Sequence, residues 1–106
     1  MKTFTRMTIG ECLSDEQTME LLNLADAHVV GLLEDDRDVV LARRMWEDGG
    51  QLVVIEVSFK TREGLMRYHC SLSYRQFVAA TQHLLVGEFV VKLFASYDCA
   101  QLAGVR

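Results

Sequence analysis

Residues 51–72, "QLVVIEVSFKTREGLMRYHCSL", contain the pattern on which the expected fold depends. In an extended strand, successive side chains point to opposite faces of the sheet. From Val53 to Phe59 every second residue is apolar, which predicts a strand with one buried face. The "REG" that follows predicts a turn, and residues 65–72 then predict a second strand, antiparallel to the first.

The same ribbon contains His69 next to Cys70, a base and a nucleophile in neighbouring positions. On a strand, Cys70 shares the apolar face with Tyr68, whereas His69 points the other way. A thiol and an imidazole on opposite faces of a sheet are beyond hydrogen-bond reach of each other. The ribbon therefore predicts no Cys–His catalytic pair, and it places Glu56 opposite His69 on the second face.

The sequence on either side of the ribbon carries two helix signals. Each consists of a serine followed three residues later by a glutamine, the pattern of a capping box. The two pairs are Ser14 with Gln17 and Ser73 with Gln76. Apolar residues at helical spacing follow both, which predicts helices over about residues 15–27 and 74–86.

The end of the first helix is open to two interpretations. The apolar spacing continues to residue 33, but the acids at residues 34–36 would then lie at the negative pole of the helix. The "VVG" at residues 29–31 is also poor helix material. We therefore favour a helix that ends near residue 27, followed by a short strand over residues 28–34.

Together these signals predict an α+β fold class in a single domain over residues 1–106. We expect an antiparallel sheet of four to five strands, packed by the two helices. A meander centred on residues 38–72 provides the middle of the sheet, and residues 88–97 provide its last strand.

Charge is distributed unevenly along the chain, whose formal net charge is −4. Residues 10–36 contain eight acids and no lysine or arginine, so the remaining chain has an excess of basic residues. Such asymmetry creates a local field that steers charged partners. The candidate acidic surface consists of Asp26, Glu34, Asp35 and Asp36, and a solvated helix face is its purely structural interpretation.

The sequence lacks the short motifs of nucleotide-binding loops, hydrolases and zinc proteases. Its cysteines and histidines never fall at the paired spacing of a zinc site, so we expect no metal and no cofactor. Three widely spaced cysteines without a CxxC favour reduced thiols, and no apolar run is long enough to span a membrane. These features predict a cytoplasmic protein with no membrane partner.

The second face of the ribbon provides the candidate binding surface. It mixes apolar and charged side chains, which makes it too apolar for water alone and too polar for a core. If "GG" makes a two-residue turn, the preceding strand adds to this face. Its predicted members are Leu52, Val54, Glu56, Arg67, His69, Arg43 and Met45. The first helix, a second copy in a homodimer, or another macromolecule would cover it.

The main functional prediction is a small non-catalytic protein-binding module that inhibits or regulates another protein. Self-association through the sheet face belongs to this prediction, and no enzymatic activity is expected. The first alternative is a nucleic-acid-binding protein that uses the basic sheet residues, although the acidic net charge argues against nucleic acid as a partner. The second alternative is a small enzyme with a His/Glu site formed by His69 and Glu56.

Overall fold

The computed structural model describes residues 2–97, which form four strands, three α-helices and one 3-10 turn. In chain order these are β1 (Lys2–Glu11), α1 (Asp15–Asp35), β2 (Val39–Trp46), β3 (Leu52–Phe59), α2 (Arg62–His69), α3 (Leu72–Thr81), the 3-10 turn (Gln82–Leu84) and β4 (Val90–Tyr97). Cys99, one of the three cysteines expected to be reduced, lies outside the described residues.

The strands form one antiparallel sheet in the order β2-β3-β1-β4. β1 lies inside the sheet and pairs with both β3 and β4. The helices follow β1 and β3 in sequence and cover one face, which gives a two-layer fold of the ferredoxin-like type. The predicted α+β class with an antiparallel sheet of at least four strands is confirmed, and the neighbour of β3 is β1 instead of residues 65–72.

α1 is longer than predicted and continues to Asp35, so the strand expected over residues 28–34 is wrong. The Ser14 side chain accepts a hydrogen bond from the Gln17 backbone N–H and caps the helix as expected. The buried positions recur at helical spacing along the whole helix: Leu21, Leu22, Ala25, Val29 and Leu32. This continuous apolar stripe outweighs the weak propensity of the valines and the acids at the C-terminal end.

Residues 65–72, predicted as a strand, fold as α2 and the start of α3. Thr61 caps α2 by accepting a hydrogen bond of 2.9 Å from the Gly64 backbone N–H. Leu65 and Tyr68, three residues apart, are the large buried side chains of this helix. A short run with this composition fits both strand alternation and helical spacing, and the Thr61 cap decides in favour of the helix.

The faces assigned to this segment are accordingly wrong. Cys70 lies exposed at the end of α2 and is not buried beside Tyr68. Met66, which strand alternation would place on the same apolar face as Tyr68 and Cys70, is exposed as well. α3 begins two residues earlier than predicted, because Ser71 and not Ser73 accepts the capping hydrogen bond, from the Tyr74 backbone N–H.

The hairpin between β2 and β3 follows the sequence prediction more closely. Gly49 has φ of 74°, which a side chain would disfavour, and the turn reverses the chain there. Arg43 pairs with Glu56 and Met45 with Val54, so these residues share the face of the sheet that carries no helix. A bulge near Val39 turns that residue toward the core instead.

The core lies between the helices and the inner face of β3, where all four inward residues are buried: Val53, Ile55, Val57 and Phe59. β4 differs, because every one of its residues is exposed to solvent. Within the described part of the chain, no helix combines the length and apolarity needed to cross a bilayer.

Candidate functional site

Arg6 occupies the middle of β1 on the side that faces the helices. Its partners in register are Val57 of β3 and Leu93 of β4. The side chain is 1% exposed, and its Nε and Nη1 atoms have no hydrogen-bond partner among the described residues. Burial of an uncompensated charge costs several kcal/mol, so this arginine does not contribute to stability in the way that an apolar residue would.

Two tyrosine rings form the immediate surroundings of this guanidinium. Its central carbon lies 3.9 Å from the ring centroid of Tyr74 and 5.4 Å from that of Tyr68. Cations are attracted to the faces of aromatic rings, and the attraction grows when water is excluded. The two contacts offset part of the desolvation cost but leave the Nε and Nη1 donors of Arg6 without hydrogen-bond partners.

His28 on α1 belongs to the same group of side chains as Arg6 and the two tyrosines. Its Nε2 lies 2.7 Å from the hydroxyl oxygen of Tyr68, and its ring stacks on Phe77 with 4.4 Å between the centroids. Burial, reinforced by the positive charge of Arg6, lowers the pKa of His28 to about 4. Burial also raises the pKa of Tyr68, although Arg6 acts in the opposite direction. At neutral pH the pair is therefore an uncharged imidazole hydrogen-bonded to an uncharged phenol, and the tautomer of His28 sets which of the two donates.

Each of these four residues comes from a different element. Strand alternation places Arg6 on the same face as Phe4 and Thr8. The helical period of α1 places His28 one turn after the buried Ala25, and α2 presents Tyr68 one turn after Leu65. Tyr74 occupies the first turn of α3, where the Ser71 cap fixes its backbone. We call Arg6, His28, Tyr68 and Tyr74 the Arg6 cluster.

Two depressions flank the Arg6 cluster along β4. One, of about 190 Å³, is lined by residues that include Leu93, the register partner of Arg6, and Leu65. The other, of about 170 Å³, is lined by residues that include Tyr74 and Phe89. Each depression is thus lined by one direct neighbour of Arg6, Leu93 in the first and Tyr74 in the second.

Larger depressions lie elsewhere but contain no buried functional group. One, of about 480 Å³, surrounds the turn after β2 and is lined by residues that include Glu11, Asp15 and Glu47. Another, of about 330 Å³, adjoins Trp46. Both are wide, open surfaces beside a hairpin turn. Since a site needs convergent polar groups as well as space, the Arg6 cluster is the stronger candidate.

The predicted binding surface is brought together only in part. The members Leu52, Val54, Glu56, Arg43 and Met45 share the open face of the sheet. The other two members lie on α2, on the opposite side: Arg67 bonds Asp38 at 2.6 Å, and the ring of His69 lies 6.4 Å from that of Tyr74.

The proposed Glu56–His69 dyad is therefore wrong. Glu56 accepts a hydrogen bond of 2.8 Å from Arg43 Nε on the open face, whereas His69 belongs to a helix on the other side of the sheet. The pairing failed because residue 69 lies on a helix, where strand parity does not apply.

The predicted acidic surface follows the second half of α1. Asp26 receives two hydrogen bonds from Arg44, at 2.6 and 3.1 Å, and this contact lowers the pKa of the carboxyl group. Glu34 and Asp35 end the helix, and Asp36 accepts a hydrogen bond from the Asp38 backbone N–H. Among residues 2–97, no group of three or more acids, histidines or cysteines is arranged to hold a metal ion.

Sequence reasoning missed all four residues of the Arg6 cluster as a site. The one available signal was Arg6 itself, a charged residue at an inward position of a strand whose other inward residues include Phe4 and Thr8. Such a residue is rarely buried without a partner or a function.

The chain matches no protein-family model and no curated protein. Its fold is similar to that of Rv0793 from Mycobacterium tuberculosis, with a TM-score of 0.77 and 17% identity over 91% of this chain and 96% of that chain. A candidate antibiotic biosynthesis monooxygenase from Caulobacter crescentus gives a TM-score of 0.79 at 6% identity and covers 91% of both chains.

A monooxygenase from Streptomyces coelicolor, solved in complex with the ligand nanaomycin D, is also similar. Its TM-score is 0.76 at 13% identity, over 90% of this chain and 88% of that chain. At such identities these comparisons establish a shared fold.

The comparisons correct the main functional prediction. Proteins that share this fold almost end to end are named as monooxygenases, so the prediction of a non-catalytic inhibitor or regulator is wrong. The expectation of no enzymatic activity is wrong for the same reason. The alternative of a small enzyme agrees better with the comparisons, although its site is not formed by Glu56 and His69.

Proposed function

We propose that this protein is a small enzyme that binds a planar, acidic organic molecule between the sheet and the helices α2 and α3, and oxygenates it. The buried guanidinium of Arg6, with unpaired Nε and Nη1 atoms, is the observation that carries the proposal. An anion that reaches it gains charge-assisted hydrogen bonds in surroundings of low dielectric constant. The names of the structural neighbours support the oxygenation step.

The shape of the surroundings supports a planar ligand. The rings of Tyr68, Tyr74, Phe77 and Phe89 lie in contact with one another or with Arg6 around the cleft. Aromatic walls with one convergent charged group are typical of sites that hold a flat, anionic molecule. Gly10 contributes to this shape, since a side chain there would come within 2.8 Å of the ring of Phe89.

Access to Arg6 requires a movement of Tyr74. Arg6 is buried, and Tyr74 both covers it and lines the outer depression next to Phe89. Each flanking depression is smaller than the roughly 300 Å³ of a typical ligand pocket. We propose that displacement of the Tyr74 ring opens the depression next to Phe89 toward Arg6, and that this side chain is the lid of the site.

Charge stabilisation is the role that we assign to Arg6. An acidic substrate becomes reactive toward oxygen after loss of a proton, when the negative charge spreads over its ring system. A cation that is already fixed in a dry site stabilises this charge without reorganisation. The backbone of β1, paired on both sides, provides the required rigidity.

Calorimetric titration with 2-hydroxy-1,4-naphthoquinone, a planar acid, tests the binding step. We expect Arg6→Met to weaken binding at least tenfold, because it removes a charge-assisted contact worth about 1.5–3 kcal/mol. Arg43→Met is the matched control, since Arg43 is an exposed arginine on the open face. Binding that is unchanged in Arg6→Met would contradict the proposal.

Oxygen consumption tests the chemical step. A panel of planar phenols and hydroxyquinones is incubated with the enzyme under ¹⁸O₂, and products are analysed by mass spectrometry. We expect uptake of one labelled atom with at least one member, at a rate that depends on Arg6. If compounds bind through Arg6 but no oxygen is taken up, the protein only binds ligands. That result would contradict the enzymatic part of the proposal.

We also propose that the open face of the sheet packs against a second copy of the chain. An apolar row crosses all four strands in register: Met45, Val54, Ile9 and Val90. The charged members of this face, Arg43 and Lys92 against Glu11 and Glu56, balance to zero. Two copies related by a two-fold axis can therefore meet without repulsion.

The balance of charge on this face also argues against nucleic acid as its partner, because protein surfaces that bind nucleic acid are basic. The cytoplasm remains the proposed compartment, and the free thiols of Cys12 and Cys70 support it.

A further inference from the structure

We propose that Tyr68 and His28 form a proton relay that removes the acidic proton of the bound substrate and leaves its anion against Arg6. This inference rests on the function proposed above, because it requires a substrate held by Arg6. It adds the route by which the proton leaves and the residue that finally holds it.

The geometry of the pair carries the inference. The Tyr68 hydroxyl lies 2.7 Å from His28 Nε2, within the range of a strong hydrogen bond. The Tyr68 ring also lies beside the Arg6 guanidinium, at 5.4 Å from its central carbon. One residue thus adjoins both the site of the anion and the imidazole.

The protonation states permit transfer toward His28, in the tautomer that carries its proton on Nδ1 and leaves Nε2 free to accept. Its neutral imidazole can accept a proton, and no acidic side chain among the described residues is recorded within hydrogen-bond distance of it. The groups that face it are Arg6 from β1, Tyr68 from α2, and the uncharged Phe77 from α3. The ring of Tyr74 adjoins that of Tyr68, with 5.3 Å between the centroids.

The transfer consists of two coupled proton movements. The substrate O–H or C–H bond breaks, and its proton passes to the Tyr68 oxygen. The original hydroxyl proton of Tyr68 passes to His28 Nε2, so Tyr68 remains a neutral phenol. The products are a substrate anion next to Arg6 and an imidazolium at His28, so one proton passes from the substrate to the protein and none is exchanged with solvent.

Arg6 makes this relay depend on the bound substrate. In the free protein, burial opposes protonation of His28 most strongly, and the Arg6 charge adds to that opposition. A substrate anion paired with Arg6 cancels the contribution of Arg6, so the basicity of His28 rises when the site is filled. Tyr68 would be the catalytic residue of this step, and His28 a positioning residue that acts through it.

A titration with 4-nitrophenol tests the relay, because its anion absorbs visible light and its neutral form does not. The experiment is run below the pKa of the free probe. For the wild type, we expect the bound probe to show the spectrum of the anion. Calorimetry in two buffers of different ionisation enthalpy should show that no proton is released to the buffer. A neutral bound probe in the wild type would overturn the relay.

Variants separate the relay from the anion site. His28→Gln retains an acceptor for Tyr68 but cannot take a proton, so the bound probe should remain neutral or release its proton to the buffer. Tyr68→Phe should give the same result, and His83→Gln, an exposed histidine beside Glu20, should behave as the wild type. Circular dichroism verifies that each variant is folded.

The outcomes are distinguishable from failure of the proposed function. If Arg6→Met leaves binding of the probe unchanged, the anion site itself is wrong and the relay falls with it. If Arg6→Met weakens binding but both relay variants still hold the anion and its proton, only the relay is overturned. ¹⁵N NMR of His28 in the wild type needs no variant: the ring should become charged on addition of the probe, and an unchanged neutral ring would overturn the relay.

Discussion

α1 packs against β2 and β3, and the side chains buried there are apolar, whereas the β1–β4 side of the same layer contains a buried arginine and an exposed strand. The first region has the composition expected of a protein core. The second region combines a charge, two tyrosines and a histidine beneath helices that leave β4 uncovered. Both regions lie on the helix-facing side of one sheet. Their difference in composition therefore does not arise because one region is surface and the other is interior.

This comparison indicates that the residues that stabilise the fold and the candidate functional residues lie on separate halves of one small sheet. A domain of about 100 residues has only about 5–15 kcal/mol of net stability, so it can hold an uncompensated charge only if the remaining core is well packed. β3 provides that core, since all of its inward side chains are buried.

The largest expected effect is at Val57, which lies at the centre of the apolar half and is 1% exposed. Val57→Lys would bury an ammonium group without a partner and should lower the free energy of unfolding by at least about 4 kcal/mol. Val54→Lys, three residues earlier on the open face, should retain the fold but abolish self-association. Urea denaturation and sedimentation equilibrium measure the two effects. Equal loss of stability in both variants would contradict the assignment of the faces.

The second expected effect is an increase in stability. Arg6→Met replaces the buried charge by an apolar side chain of similar length, and should raise the free energy of unfolding by about 1–4 kcal/mol while the anion site is lost. Arg43→Met provides the control, because Arg43 is exposed and should change stability little. Thermal denaturation compares them. A destabilised Arg6→Met variant would show that the guanidinium serves the core, and the contrast between the halves would disappear.

The apolar half was largely predictable from sequence. The alternation from Val53 to Phe59 specifies strand β3 and its buried face, because a slip of one residue would expose the whole apolar set. The Arg43–Glu56 and Met45–Val54 pairs followed from the same alternation and the "GG" turn. Local pattern sufficed there because both strands are adjacent in the chain.

The other half was not predictable in the same way. Leu65 and Tyr68 fit a strand as well as a helix, and only the Thr61 cap distinguishes the two. Arg6 and His28 are 22 positions apart in the chain, and nothing local indicates that the fold brings both to Tyr68. A site built from four separate elements requires the tertiary arrangement before its members can be recognised.

The third expected effect is a dependence of the free energy of unfolding on pH, which originates in the β1–β4 half. The pKa of His28 is about 4 in the folded protein, against about 6.5 in the unfolded chain. Between these values the unfolded chain binds a proton that the folded chain does not. The free energy of unfolding should therefore fall as the pH decreases from about 6.5 to about 4, by about 2 kcal/mol after allowance for partial exposure of the ring.

Urea denaturation at several pH values measures this component. The His28→Gln variant should lose it, and the His83→Gln variant should retain it, because His83 is exposed on the 3-10 turn. The same pH dependence in the wild type and in His28→Gln would place its origin in other residues.

The smallest effect concerns the cap of α2, the helix that carries Tyr68. Thr61→Ala removes the acceptor for the Gly64 N–H and should lower the free energy of unfolding by about 1 kcal/mol. Thr61→Ser keeps a hydroxyl acceptor and should retain most of that stability. α2 packs against β1 and β3, whereas α1 covers β2. The loss of stability in the Thr61 variant should therefore be local. Hydrogen exchange should accelerate in α2 while the amides of α1 remain protected. Uniform acceleration in both helices would mean that the two halves unfold as one unit, and that the separation between core and site is one of composition and not of stability.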